Sequence, residues 1–296
     1  MIIHPLDLHF QGTPGLIAAY LLESDGEWAL IETGPGSCLP QTLAALAKLA
    51  VPVEAIRKVF VTHVHLDHAG AAGWWAQQGA QIFCHPRAAR HLIDPSRLLA
   101  SAAQVYGAKM ESLWGAMLPA PAARVSLLED GQQVPFGQHT VQAWDTPGHA
   151  RHHHAYVVGD VCFTGDVAGV RLETSPYLSV AAAPPQFDLA AYLDSVQRLL
   201  EADFSSLYLT HFGQVTSPEP HLKTYADRLN EVAQEAKKWV AEGWDELNAG
   251  QAFLAKEWQR AQHLGVSPAL WQRYEQANPT SMGASGLRQW ASSLNG

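Results

Sequence analysis

The stretch HVHLDHAG, residues 63–70, places four side chains able to bind a metal, His63, His65, Asp67 and His68, directly after the apolar run KVFVT. In an extended or tightly turning segment side chains alternate, so His63 and His65 point to one side. Asp67 and His68 fall where the chain turns into a helix and can face a second point nearby. Two imidazoles at one point, and a carboxylate with an imidazole at the other, suit two Zn2+-like ions, which take nitrogen and oxygen ligands. Three further donors end other predicted strands: TPGH closes on His149, FTGD on Asp166, and LTHFG carries His211. A carboxylate at the end of an apolar strand is costly unless something there uses its charge. Each of the three alone is an ordinary polar residue; together with residues 63–68 they complete a donor set for two divalent ions.

The elements that must position these donors read as an alternation of strands and helices, hence an α/β sheet fold. LIAAYLLE and WALIET flank SDGE as a hairpin. A helix over Gln41–Leu49, the strand VEAIRKVFVT, the helix AGAAGWWAQQGA and the strand QIFCH follow. From Arg124 on, dense turn residues and alternating apolar positions predict an antiparallel meander, then the amphipathic helix DLAAYLDSVQRLLE and the strand LYLTHFG. The chain thus divides into two similar αβ halves with donors at strand ends. Residues 96–122 carry Tyr106, Met110, Leu113, Trp114 and Met117 at near-helical spacing. They predict a helical insertion, either packed on the core or closing over a pocket as a lid. After SPEP the pattern is helical: Leu222, Tyr225, Leu229, Val232, Ala236 and Trp239 trace one apolar face, and Trp258, Trp271 and Trp290 follow. The expectation is a catalytic domain over residues 1–216 and a C-terminal helical subdomain over 217–296, packed on the main domain or serving a homodimer.

A net charge of -9 argues against a nucleic-acid partner, which requires a basic surface. Cys38, Cys84 and Cys162 form no CxxC pair and no disulfide framework. The N-terminus lacks the basic and apolar regions of a secretory signal, and no apolar run approaches the ~20 residues of a membrane span. The expectation is a cytoplasmic protein with no membrane partner, acting on a small molecule. Most of the fifteen histidines, among them His4, His9, His91 and His139, have no partner at ligand spacing and read as structural or surface residues.

The order HVHLDH, TPGH, FTGD, LTHFG resembles the metallo-β-lactamase-fold hydrolase superfamily, in its binuclear branch with glyoxalase II-like enzymes. The resemblance runs over roughly residues 10 to 215 and includes LIAAYLLE and IETGPG. It implies a four-layer αββα sandwich with two metals at one edge, most simply Zn2+, with Mn2+ or Fe2+ as alternatives. It assigns His63, His65 and His149 to one metal and Asp67, His68 and His211 to the other, with Asp166 bridging. Two cations ~3.5–4 Å apart lower the pKa of a water between them and give hydroxide at neutral pH. Asp67 is then the group to orient the nucleophile and shuttle a proton.

Around that centre, Glu32 stands where the family usually has aspartate, and is expected to anchor a ligand loop by hydrogen bonding. His153 stands where the glyoxalase-like pattern has a second histidine. His152 and His154 read as packing residues. Zinc β-lactamases generally lack the bridging aspartate, and Asp166 is present. Glyoxalase II enzymes follow their GD with a glutathione-binding stretch, where this chain has VAGVRLETSPYL. Acyl-homoserine lactonases carry a tyrosine three residues past the bridging aspartate; here that residue is Gly169, which leaves Tyr177 or Tyr106 to reach in from elsewhere. With Trp114, Met110 and Phe187 as candidate walls, the expected substrate is a small ester, thioester or lactone. The alternatives are a phosphodiesterase on the same fold and a diiron redox or metal-sensing protein. The latter class alters the first motif, which is intact here.

Overall fold

The computed structural model describes residues 1–294. Its first half runs β1 (Ile2–Asp7), β2 (Ala18–Ser24), β3 (Glu27–Ile31), α1 (Leu39–Lys48), β4 (Ile56–Phe60), α2 (Leu66–Ala69), α3 (Ala72–Gln77), β5 (Gln81–Cys84), α4 (Pro86–Ile93), α5 (Ser96–Tyr106), α6 (Met110–Trp114) and β6 (Val125–Leu127). The second half runs β7 (Gln133–Phe136), β8 (His139–Asp145), β9 (His154–Val158), β10 (Val161–Gly165), α7 (Leu189–Glu201), β11 (Ser206–Leu209) and β12 (Gly213–Val215). Four helices follow: α8 (Pro218–Ala241), α9 (Glu246–His263), α10 (Pro268–Ala277) and α11 (Thr280–Ser293).

The strands form two six-stranded mixed sheets, ordered β1-β2-β3-β4-β5-β6 and β12-β11-β10-β9-β8-β7. The β2–β3 hairpin turns on Asp25 and Gly26, both at positive φ, as a two-residue turn that continues the strand twist demands. Because side chains alternate along a strand, each sheet buries both faces in different cores. Tyr20, Phe60, Phe136, Tyr156, Phe163 and Tyr208 meet between the sheets. Leu21, Leu30, Val59 and Ile82 face outward onto Leu46, Trp75 and Leu92 of the first helical layer. Val157, Cys162, Leu207 and Leu209 face the other way onto Val196 and Leu199 of α7 and onto α8. The result is the αββα sandwich that the sequence resemblance implies.

The apolar stripe of α8 is satisfied inside the molecule, with Leu222, Tyr225, Leu229, Val232, Ala236 and Trp239 all buried against the second core. The later tryptophans are also turned inward. Trp271 packs edge-on to Tyr177 and tilts against Trp258, while Trp290 stands edge-on to Phe187. A buried ion pair ties α8 to α9, the Arg228 guanidinium donating 2.6 and 2.7 Å to both oxygens of Glu257. The insertion is anchored at its far end: Trp114 stacks on Phe10, and the Ser37 hydroxyl donates 2.6 Å to the Leu113 carbonyl. By contrast α5 buries none of its residues fully and rests on the core through Leu98, Leu99, Ala102 and Tyr106. No helix among the described residues is long and apolar enough to cross a membrane.

Candidate metal centre

The seven donors come from the ends of strands in both sheets. β4 runs out through Thr62 into His63, and the chain then turns at His65 into the short helix α2, which carries Asp67 and His68. In the second sheet β10 and β11 are parallel neighbours, so Asp166 and His211 emerge at the same edge. His149 comes from the loop between β8 and β9. Five of the seven are buried; only His65 and Asp67 reach solvent in part.

Hydrogen-bond accounting fixes which nitrogen is free in four of the five imidazoles, those of His63, His68, His149 and His211. Thr62 Oγ1 gives its proton to Glu32 Oε1 at 2.6 Å, so it accepts from His63 Nδ1–H at 3.0 Å. His149 Nδ1–H donates 3.0 Å to the Ala181 carbonyl. Both Nε2 atoms are therefore bare lone pairs, and both stand 2.9 Å from His65 Nδ1. Asp166 Oδ2 completes the group, 3.2 Å from His149 Nε2 and 4.0 Å from His63 Nε2. Burial, followed by the neighbouring imidazoles, holds His63 well below the ordinary imidazole range, and burial with His149 pushes His65 down to about 3. With the His65 proton on Nε2, a third lone pair joins those of His63 and His149, an arrangement that a cation among them would satisfy. That spacing suits a tetrahedral ion with ligands at ~2 Å.

The second group is built in the same way. His68 Nδ1–H donates 2.8 Å to Glu32 Oε1 and His211 Nδ1–H donates 2.8 Å to the Leu16 carbonyl. Their Nε2 atoms face Asp67 Oδ2 at 3.6 and 3.3 Å and Asp166 Oδ1 at 3.3 and 3.7 Å. His68 Nε2 and Asp166 Oδ1 are buried without a hydrogen-bond partner among the described residues. Burial disfavours the His68 imidazolium, but the carboxylates of Asp166, Asp67 and Glu32 outweigh it and raise its pKa well above the usual value. His211 is raised by Asp67 and Asp166 against the same penalty. Asp166 turns one oxygen to each group, and both groups have donors set closely enough to hold an ion. The residues present fit two divalent ions.

Glu32 is the hub beneath the second group. It is fully buried and adopts a left-handed backbone conformation, φ 64°, rare for a residue with a side chain. From there Oε1 accepts from Thr62, His68 and Thr210, and Oε2 accepts from the Thr62 backbone at 3.2 Å. The longer side chain thus still reaches His68. The two threonines were not singled out from the sequence, although each directly precedes a ligand, in VTHVH and LTHFG. His153 is buried beside the centre: its Nδ1 pairs with Thr146 Oγ1, and its Nε2 accepts the Asp166 N–H at 3.2 Å. It therefore steadies the backbone that carries the Asp166 carboxylate.

The other expected substrate residues separate. Tyr106 is half-buried near the centre, close enough for Asp67, after burial, to raise its phenol further, and it stands edge-on to Trp114. Tyr177 is drawn away, because its hydroxyl donates 2.7 Å to the buried Glu257. Phe187 is no pocket wall either; it is packed between Tyr192 and Trp290. A third cluster, His85, Asp145 and His154, has donor atoms at ligand spacing. There, however, His85 Nδ1 accepts the Arg87 N–H at 2.9 Å as the cap of α4. The proton consequently sits on Nε2, facing Asp145, and the nitrogen a metal would need is taken. Cys84 is buried, which pushes its thiol up to about 12 and leaves it unreactive.

Known proteins share this arrangement of strands and helices. The family described as the metallo-beta-lactamase superfamily matches residues 12–211. The metallo-beta-lactamase fold-containing protein ST1585 of Sulfurisphaera tokodaii is 28% identical over 171 residues, which are 56% of this chain and 64% of that protein. Its crystal structure superposes with a TM-score of 0.64 at 23% identity, over 76% of this chain and 85% of that one. The metallo-beta-lactamase family protein TTHA1429 of Thermus thermophilus superposes with a TM-score of 0.69 at 19% identity, over 99% and 94%. The metallo-beta-lactamase SMB-1, in complex with mercaptoacetic acid, gives 0.54 at 17% identity over 73% and 88%. At these identities the structural likenesses speak for the fold.

Proposed function

The chain belongs to the metallo-beta-lactamase superfamily, a family of metal-dependent hydrolases, and from that premise we propose that it is a binuclear hydrolase of the acyl bond in a small ester, thioester or lactone. The observation that carries this reading is Asp166, whose two oxygens each face a separate set of imidazole lone pairs. Bound there, two divalent ions, Zn2+ first, supply the Lewis acidity and water activation that hydrolysis requires. His63, His65 and His149 would hold one and Asp67, His68 and His211 the other, with Asp166 offering one oxygen to each.

The protein's own groups do the rest. Asp67 is the one carboxylate of the centre that reaches solvent, so it is the group to take the proton of the attacking water and return it to the leaving group. Glu32, Thr62 and the Ala181 and Leu16 carbonyls hold the ligand imidazoles in the tautomers that leave their free nitrogens inward. Tyr106, from the insertion, feels the charge of Asp67 and is backed edge-on by the buried Trp114, so we take it as an aromatic wall of the substrate site. That wall suits an apolar acyl group better than a phosphodiester.

Elemental analysis with hydrolysis assays on a lactone, a thioester and a phosphodiester tests the reading. The expected result is two metals per chain and turnover of a lactone or thioester, with Asp166→Ala losing at least one metal and nearly all activity. Turnover confined to the phosphodiester would refute the substrate class. No metal uptake from Zn2+ or Mn2+, and no turnover, would refute the hydrolase itself.

A further inference from the structure

The position of Asp166 depends on the turn that follows β10, and α8 grips that turn from behind. His221 Nε2–H donates 2.9 Å to the Ala168 carbonyl. Gly169 holds a φ of +76°, and a Cβ there would overlap the ring of Tyr225. One turn of chain further back, the Tyr192 hydroxyl donates 2.7 Å to the carbonyl of Asp166 itself.

The hydroxyls of Tyr192 and Tyr225 lie 2.8 Å apart, and proton counting gives the direction of their bond. A phenol has one proton. Tyr192 donates its proton to Asp166, so its oxygen must accept that of Tyr225. The oxygen of Tyr225 in turn accepts the Ala181 N–H at 3.4 Å. Ala181 is also the residue whose carbonyl receives His149 Nδ1–H. A single chain of bonds therefore joins the backbone that orients His149 to the backbone that carries Asp166. Both phenols are buried, and a phenol carries its proton at neutral pH.

We propose that Tyr225 is a positioning residue for the metal centre, acting through Tyr192 on Asp166 and through Ala181 on His149. The inference rests on the binuclear reading above. It assigns a site role to α8, which lies beyond the residues matched by the family, 12–211. The α8 helix then does more than cover the second core. It sets the separation between a ligand of the first metal and the carboxylate shared by both.

The test compares Tyr225→Phe and Tyr192→Phe with Tyr274→Phe. Tyr274 also has a buried hydroxyl, but it packs in the first core rather than the second and serves the Leu172 and Tyr177 backbone. Zn2+ affinity is read by chelator competition on the intact protein, and ligand geometry by the visible spectrum of the Co2+-loaded form. Tyr225→Phe and Tyr192→Phe are each expected to weaken Zn2+ binding by about 10-fold and to alter the Co2+ bands, with Tyr274→Phe matching the parent. Parent-like affinity and spectrum in Tyr225→Phe would overturn the proposal, as would equal weakening in Tyr274→Phe. Should Tyr225→Phe fail to fold, Tyr192→Phe decides alone by the same criteria. A parent that takes up no metal would overturn the binuclear reading and this inference with it. A metal-loaded parent with an indifferent Tyr225→Phe would overturn this inference only.

Discussion

Replacing Glu32 by glutamine isolates the contribution of the charge beneath the second group. The carboxylate receives four hydrogen bonds, three at Oε1 and one at Oε2 from the Thr62 backbone. In the better amide orientation the oxygen keeps the bonds from Thr62, His68 and Thr210, and the new NH2 faces the Thr62 N–H. Two donors then oppose each other in a fully buried place, at a cost of about 1–3 kcal/mol. The flipped orientation sets the NH2 against three donors and is worse. The His68 Nδ1–H bond also loses its charged acceptor, which roughly halves its strength. Its Nε2 is then less firmly aimed and less basic toward an ion. Loss of such a supporting group typically weakens metal binding about 10–100-fold. Glu32→Gln is expected to keep its fold by circular dichroism, and to lose the second metal at a free Zn2+ concentration about 10–100 times higher than the parent. The first group, which meets Glu32 only through Thr62, is expected to change less. Two metals held with parent affinity would refute the claim that Glu32 fixes His68 for an ion.

Three other outcomes follow from the same contacts. Tyr177→Phe removes a hydroxyl committed to Glu257, so it is expected to lower stability by about 1–3 kcal/mol, with metal content and turnover unchanged; a selective fall in lactone turnover would return Tyr177 to the substrate site. Burial pushes His154 from 6.5 down to about 4, so between those values the unfolded chain binds a proton that the folded chain refuses. Stability from this group is complete above pH 6.5 and is lost as pH falls through 4. In metal-free protein, His154→Leu should flatten that decline by about 3 kcal/mol, and an unchanged slope in denaturant titrations would contradict it. Stripping the metals with chelator should lower the thermal midpoint, and Zn2+ should restore it in a concentration-dependent way, because a ligand that binds only the folded state stabilises it by mass action. A midpoint indifferent to Zn2+ would contradict that coupling.

The donor set is legible in short stretches of sequence. HVHLDH is local, and the ends of β4, β10 and β11 are set by short apolar runs that stop at Thr–His or Gly–Asp. The hairpin at Asp25–Gly26 and the apolar stripe of α8 are likewise legible, since turn chemistry and helical period act over a few residues. Which nitrogen of each histidine faces inward is a matter of tertiary packing, because it follows from acceptors far along the chain. His149 is set by Ala181, His211 by Leu16, and His68 by Glu32. The same holds for Tyr177, whose type suits a substrate site as well as a buried pairing with Glu257, 80 residues away. In sequence Tyr225 is one more apolar position of α8, and its ring is indeed buried there. Its hydroxyl acquires a role only once α7 and the turn after β10 are brought against it. A side chain's type and period fix whether it is buried; its hydrogen-bond partner depends on which distant segments the fold packs beside it.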